Sequence, residues 1–425
     1  MSILSLLKIN HIVLFLLILS ILTIIDFFAF QISIKVLYKN NNKYLKILFT
    51  SLFCIISIVV YFFLAWTFFI HKWNRNVDDF IHIYYFSGCL VIIYISKFIF
   101  LLSNYAGLLL KFIGIKLLNK FSHGKNDYNF INTKNISLIG LFVAILTCLT
   151  LIYGVFFGRF QYQIKYCNLE FENLPVSFDK LKIVQISDLH ISTYHSHEKQ
   201  FERIIELVNS QNPDIIFFTG DLINNFAEEV IPYVPKLRNL KAKYGKYAIL
   251  GNHDYGDYYI WHNEKEKQEN HQLLIAYIKS ADFKLLINEN IALVKYKDTI
   301  IIAGTENYGP KPYRQAGDLE KTLKGTTRNN FIMLLSHDPF IWDHFVRSHP
   351  NIKVTFSGHT HGMQIGINCG TFNWTPFHYG YKRWNGLYKE NNQFLYVNKG
   401  LGAGLYTGRI GMWPEITVFE LRREK

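Results

Sequence analysis

The stretch Gly358-His359-Thr360-His361-Gly362 decides the fold. It follows Val354-Thr355-Phe356, a β-branched and aromatic run that reads as a strand. Two imidazoles two residues apart, among small residues just past a strand end, can turn both rings into one crevice. Alone, the pentapeptide is an ordinary polar turn. Four more groups of ligand-type side chains lie upstream, each after a strand-like run. Asp188-Leu189-His190 follows 183–187, Gly220-Asp221 follows 215–219, Gly251-Asn252-His253-Asp254 follows 247–250, and His337 follows 333–336. Ligands of open α/β sheets bind outside the carboxyl ends of the strands. Loops at one edge would therefore gather all five groups.

The pattern around them is alternating. Phe201, Ile204, Ile205 and Val208 fall at helical spacing and stop at Asn212-Pro213. Further strand-like runs lie at 299–303, 394–398 and 415–421. Strands alternating with helices, then a strand-rich part, indicate an α/β domain with two packed sheets and helices outside.

Singly, each polar group has a plain explanation: a turn aspartate, a helix cap, a loop histidine. Jointly, two carboxylates, one carboxamide and four imidazoles at strand ends fit a two-metal site. Such ligands suit Mn²⁺, Fe²⁺ or Zn²⁺, and the absence of Cys argues against a structural zinc. Two ions about 3.5–4 Å apart share a ligand, and Asp221 is the candidate bridge. The ions would lower the pKa of a bridging water, whose hydroxide attacks in line. His253 is better placed as acid than as ligand, since Asn252 already supplies the metal contact; Asp254 is expected to orient its ring or stabilise its charge.

Residues 1–158 differ in kind. They are dominated by Ile, Leu, Phe and Tyr, and hold 13 of the 45 Lys/Arg but only 4 of the 32 Asp/Glu. Most of the net charge of +13 thus lies between apolar segments, which points to membrane topology and not to nucleic acid. Four segments, at about 9–30, 45–70, 80–102 and 136–157, are long enough to span a bilayer. The first lacks a basic start and a small-residue cleavage site, so it reads as a retained anchor. Lys35, Lys39, Lys43 and Lys46 in one long loop, with Lys111, Lys116, Lys120, Lys125 and Lys134 in the other, outnumber Lys8, Lys72, Arg75, Arg159 and Lys165 on the opposite side. That bias leaves the domain from 159 to 425 extracytoplasmic. Asp26 and Lys97 are the notable charges near membrane depth. Separate snorkelling to the interface is the simpler expectation, and pairing is the alternative. The five cysteines are too few for a disulfide framework.

The series D-x-H, G-D, G-N-H-D, H and G-H-x-H, over 181–421, resembles the calcineurin-like metallophosphoesterase superfamily. The closing stretch, Tyr396-Val397-Asn398-Lys399-Gly400-Leu401-Gly402 through Arg409 to Pro414-Glu415-Ile416, resembles a bacterial branch of membrane-associated phosphodiesterases. The resemblance implies a four-layer αββα sandwich. It implies one ion held by Asp188, His190, Asp221 and His361, another by Asp221, Asn252, His337 and His359, and His253 as catalytic histidine. Met363 stands where the branch has the second glycine of G-H-T-H-G-G-Q, which bears on the shape of the pocket.

The expected function is therefore a phosphoesterase of the bacterial plasma membrane, acting on a phosphodiester that is lipid-linked or part of the cell envelope. A pyrophosphatase acting on an acylated nucleotide sugar, and a catalytically silent sensor, are the alternatives. Aromatic residues at 255–261 and at 372–384 (Phe372, Trp374, Phe377, Tyr379, Tyr381, Trp384) stand near the site in sequence. Ordinary hairpin packing is the first expectation for the second set, and contact with lipid is the other.

Overall fold

The computed structural model describes residues 11–38, 43–70, 77–121, 133–369, 372–376, 380–404 and 406–424. Lys8, Lys39, Lys72, Arg75, Lys125, Phe377 and Tyr379, used in the reading above, lie outside the described residues, as does the side chain of Lys120. The chain divides into two compact units, one of apolar helices up to Tyr153, the other built mainly on the residues from Gly154 onward.

The first unit is helical because nothing interrupts its apolar runs; the chain has no proline before Pro175. Its helices are α1 (His11–Tyr38), α2 (Lys43–Ala65), α3 (Val77–Phe121) and α4 (Thr133–Phe156). All four are long and apolar enough to cross a membrane. Hydroxyls along them fold back on a carbonyl one turn earlier, as Thr23 does on Leu19 (2.7 Å) and Thr147 on Val143 (2.9 Å), which satisfies donors that hydrocarbon could not. Outward faces carry Leu17, Ile58, Phe62 and Phe142, while Ala29, Phe100, Leu101 and Ala144 pack inside. The third helix is longer than expected: 103–121, read as loop, continues the helix, and Lys111 and Lys116 lie on it. Those two lysines are isolated in an otherwise apolar run with no breaker after Gly107 and Gly114, which explains the continuation.

Asp26 and Lys97 do not snorkel apart. Lys97 Nζ lies 2.5 Å from Asp26 Oδ1, and the other carboxylate oxygen accepts from Tyr61 (2.6 Å) and Tyr94 (3.1 Å). Ser57 Oγ and the Phe53 ring complete the ammonium's surroundings at 3.4 and 4.5 Å. A charge in an apolar bundle gains more from these partners than from a long reach to water.

The second unit contains β1 (Gln163–Phe171), β2 (Leu181–Ile186), β3 (Ile215–Phe218), β4 (Lys246–Ala248), β5 (Phe283–Leu285), β6 (Glu289–Lys295), β7 (Asp298–Gly304), β8 (Ile332–Leu335), β9 (Ile352–Ser357), β10 (Ile367–Cys369), β11 (Phe372–Trp374), β12 (Gly386–Glu390), β13 (Gln393–Val397) and β14 (Glu415–Arg423). Six-stranded sheets run β1-β14-β2-β3-β4-β5 and β12-β13-β9-β8-β7-β6, and β10 and β11 form a separate hairpin. Strands β2, β3 and β4 are parallel neighbours in one sheet, as are β8 and β9 in the other. Period-2 alternation sorts their residues into layers. Ile183, Ile215 and Phe217 meet Met333, Leu335, Val354 and Phe356 between the sheets. Val184, Ile216 and Phe218 face helix α5 (Glu198–Ser210) through Phe201, Ile204, Ile205 and Val208. On the far side Ile332, Leu334 and Ile352 pack on Ile341, Trp342 and Val346. The architecture is thus an αββα sandwich behind four membrane-spanning helices. All five cysteines are free.

Candidate metal centre

All seven expected ligands come together, because each follows the carboxyl end of a strand and both sheets present those ends to one crevice. Asp188 and His190 follow β2, Asp221 follows β3, Asn252 and His253 follow β4, His337 follows β8, and His359 and His361 follow β9. Ligand-type atoms of Asp188, His190 and His361, and of Asp221, His337 and His359, form groups within 4.8 Å of one another.

The backbone pays for this convergence. Asp188 (φ 47°), His190 (39°), Asp221 (57°), His359 (72°) and His361 (52°) all lie in the left-handed region. Such conformations cost non-glycine residues about 1–3 kcal/mol each and cluster at functional sites. Gly358 is required by closeness: a Cβ there would lie 2.0 Å from Ser187 Oγ and 2.2 Å from an Asp188 oxygen.

Hydrogen bonds fix which atom of each ring faces inward. His337 Nδ1 donates to the Thr219 carbonyl (2.7 Å), so Nε2 faces Asp221 Oδ2, Asn252 Oδ1 (both 3.1 Å) and His359 Nδ1 (3.3 Å). His190 Nδ1 bonds Asn224 Oδ1 (2.9 Å), leaving Nε2 at 3.1 Å from His361 Nε2 and 3.6 Å from Asp221 Oδ2. His359 Nε2 meets Tyr381 Oη (2.7 Å), which donates to Asp338 Oδ2 (3.0 Å). Asn252 Nδ2 donates to Tyr258 Oη (2.6 Å), turning its amide oxygen inward. The inward nitrogens of His190, His337 and His359 are therefore acceptors that converge with the Asp221 carboxylate and the Asn252 amide oxygen, an arrangement that protons or cations reconcile. Asp221 Oδ2 lies between the two groups. The donor set fits divalent ions.

The electrostatics agree. Burial alone would lower His337, yet the Asp221 carboxylate beside it raises its imidazole to about 10. Asp221 is held well below the carboxylate range by His337 despite burial. Burial pushes Asp188 up to about 7 and His190 down to about 3. Without ions, His337 and Asp188 favour their protonated forms, while burial keeps His190, His359 and His361 neutral.

One expectation is corrected. Asp254 does not touch the His253 ring. Its carboxylate accepts from the backbone N–H groups of Asp221 (2.9 Å), Leu222 (2.9 Å), Ile223 (3.2 Å) and Gly251 (2.9 Å), clamping the loop that carries Asp221. Four donors on a fully buried carboxylate outweigh any single ring contact. His253 Nδ1 donates instead to the Asn224 carbonyl (2.9 Å). Asn224 thus supports two histidines, and Glu229 holds it in turn through the backbone N–H groups of Asn224, Asn225 and Phe226 (2.8–2.9 Å). Sequence reading missed Asn224 and Glu229, which carry no signal; it placed Tyr258 and Tyr381 only in aromatic stretches near the site and Arg409 only in the closing stretch, without the contacts they make, and the Arg409 guanidinium lies 3.2 Å from His361 Nδ1. Asp338 had a signal in its adjacency to His337.

Comparison with known proteins points to the same fold and family. Residues 181–363 match the calcineurin-like phosphoesterases, and residues 10–159 match the transmembrane domain of probable calcineurin-like phosphoesterases. The chain is 32% identical over 262 residues to a metallophosphoesterase of Bacillus subtilis, covering 59% of this chain and 82% of that protein. It is 28% identical over 284 residues to a transmembrane protein with a metallophosphoesterase domain of Danio rerio, covering 66% and 62%. It is 30% identical over 286 residues to a UDP-2,3-diacylglucosamine pyrophosphatase of Chlamydia trachomatis, covering 54% and 82%.

Proposed function

Because this chain belongs to the calcineurin-like phosphoesterase family and is an integral membrane metallophosphoesterase, we propose that it hydrolyses a lipid-linked or cell-envelope phosphodiester at the crevice between its sheets. The supporting observation is the convergence of inward-facing acceptors, with the opposite nitrogens of His190, His337 and His359 each already engaged by Asn224, Thr219 and Tyr381. Asp188, His190, Asp221 and His361 would hold one divalent ion, and Asp221, Asn252, His337 and His359 the other. Ions of the Mn²⁺, Fe²⁺ or Zn²⁺ type supply Lewis acidity, which neutralises phosphate charge and acidifies water. His253, anchored through Nδ1, presents Nε2 to the site and holds the proton that passes to the leaving alkoxide. Asp254 keeps the Asp221 loop in place during turnover.

The domain is extracytoplasmic in this reading, on the Lys/Arg bias, and the bacterial membrane rests on the similarity to the Bacillus subtilis protein. A second reading, a pyrophosphatase acting on an acylated nucleotide sugar, is supported by the similarity to the chlamydial protein. It needs a cytoplasmic site, so a topology reporter fused at the C-terminus separates the two. Catalysis itself is tested with the full chain in detergent, metal-stripped and with Mn²⁺ restored, on a chromogenic bis-aryl phosphodiester. Metal-dependent hydrolysis that disappears in Asp221→Asn is expected. A metal-loaded wild-type chain inert towards this diester, lipid-linked diesters and pyrophosphates would overturn the reading.

A further inference from the structure

The hairpin of β10 and β11 leaves its apolar face exposed. Its register pairs Ile367 with Trp374, Asn368 with Asn373 and Cys369 with Phe372. Directly opposed residues share a face, and residues two apart share it too. One face therefore carries Ile367, Cys369, Phe372 and Trp374, and the other carries the two asparagines. In a hairpin that packs on its own domain the apolar face turns inward. Here Ile367, Phe372 and Trp374 are 51%, 57% and 44% exposed, and Cys369 is exposed as well. The expectation of ordinary packing fails for this pair of strands.

The hairpin is nonetheless firmly rooted beside the metal centre. Gly366 N donates to the Ile410 carbonyl (2.9 Å), and Thr375 Oγ1 to the Ile365 carbonyl (2.7 Å). His361 lies only a few residues before the first strand. An exposed apolar face anchored at its base marks a binding surface.

We propose that this face inserts into the lipid interface and seats a lipid-anchored substrate over the site; the seating rests on the lipid-linked reading above, the insertion does not. Lipid is the occupant for three reasons. The chain already spans a membrane, so a bilayer surface is present at high effective concentration. No Asp, Glu, Lys or Arg lies between Ile365 and Tyr381, so no charge is carried into the apolar layer; Lys382, which follows at once, is 71% exposed, with its ammonium 3.9 Å from Asp343. Trp beside Phe and Ile is the composition that membrane interfaces favour.

The test uses the full chain in phosphatidylcholine/phosphatidylglycerol vesicles, with Cys54, Cys89, Cys148 and Cys167 replaced by Ala and an environment-sensitive fluorophore on Cys369. Blue-shifted emission, quenched by lipids spin-labelled near the headgroup and shielded from iodide, is expected. Hydrated emission quenched by iodide would overturn the insertion. Should the cysteine replacements disturb folding, the native-cysteine chain serves. Brominated lipid should then quench its tryptophan emission more than that of Trp374→Tyr, and equal quenching overturns the inference. The kinetic arm compares a lipid-linked diester in vesicles with the soluble bis-aryl diester. Phe372→Ser and Trp374→Ser should lower the lipid-to-soluble rate ratio by about tenfold, the scale of losing one buried aromatic. An unchanged ratio overturns the seating. A wild type inactive on both substrates counts against the proposed activity and leaves the fluorescence result to decide the insertion.

Discussion

Single atoms in the crevice carry the most direct consequences. His253→Gln keeps the Asn252 contact and should leave metal content intact while lowering turnover by about 10²–10⁴-fold. The loss should be smaller for esters with acidic leaving groups, which need no proton; a uniform loss across leaving groups would deny His253 its role as acid. Metal affinity should depend on pH in a fixed direction. Without ions, His337 is raised to about 10 and Asp188 to about 7, so below these values an incoming cation must displace protons. Affinity should thus rise with pH, by about tenfold per pH unit for each proton displaced, and competition titrations with a chelator between pH 6 and 9 measure it. Asp338→Asn weakens the support that Tyr381 and Asp338 give to His359 and should reduce affinity by about 10–100-fold. Met363 shows the same backbone economy from the other side. It sits at φ 61°, where the resembled branch has glycine. Met363→Gly removes a left-handed penalty of about 1–2 kcal/mol at an entropic cost of about 0.5–1, so thermal unfolding of the metal-free chain should show a small net gain.

At the level of strands and loops, the five strand-end loops hold one another. Gly251 approaches Asp221 so closely that a Cβ would lie 2.2 Å from its Oδ1. Gly251→Ala should therefore displace the bridge candidate and cost both metal and activity, measured by metal analysis of the purified chain. This level also divides what the sequence disclosed from what it withheld. The ligands were legible because strand-end chemistry is local: a short apolar run, then a polar group, recurs five times. Strands β2, β3, β4, β7, β8, β9, β13 and β14 were legible for the same reason. Strands β1 and β6, half-exposed edges with charges such as Lys165 and Glu289, hid their alternation. Asn224 was hidden because it acts through its carbonyl as well as its side chain, and a backbone acceptor has no residue signature. Asp254 was misread because adjacency to His253 in sequence says nothing about which donors compete for its carboxylate. The long third membrane helix was cut short because two lysines looked like a loop.

At the scale of the whole molecule, the helical unit is built as well as spanned. Asp26, Tyr61, Tyr94 and Lys97 join three helices, so Asp26→Ala leaves an ammonium unpaired in an apolar bundle at a cost of about 3 kcal/mol. The detergent-solubilised chain should unfold at lower temperature, and the double change Asp26→Asn with Lys97→Met should recover part of the loss. The soluble unit carries a different dependence. Strand β14 lies between β1 and β2, antiparallel to β2, and pairs with it from Thr417↔Gln185 to Leu421↔Leu181. β2 leads directly to Asp188 and His190. A ribosome-bound chain that has emerged through His361 possesses every ligand and still has β2 as a raw sheet edge, with its neighbour unmade. The strand that flanks the segment leading to Asp188 and His190 is thus translated after the last of the ligands, so a chain halted between His361 and Glu415 would carry the full ligand set without the neighbour that covers β2.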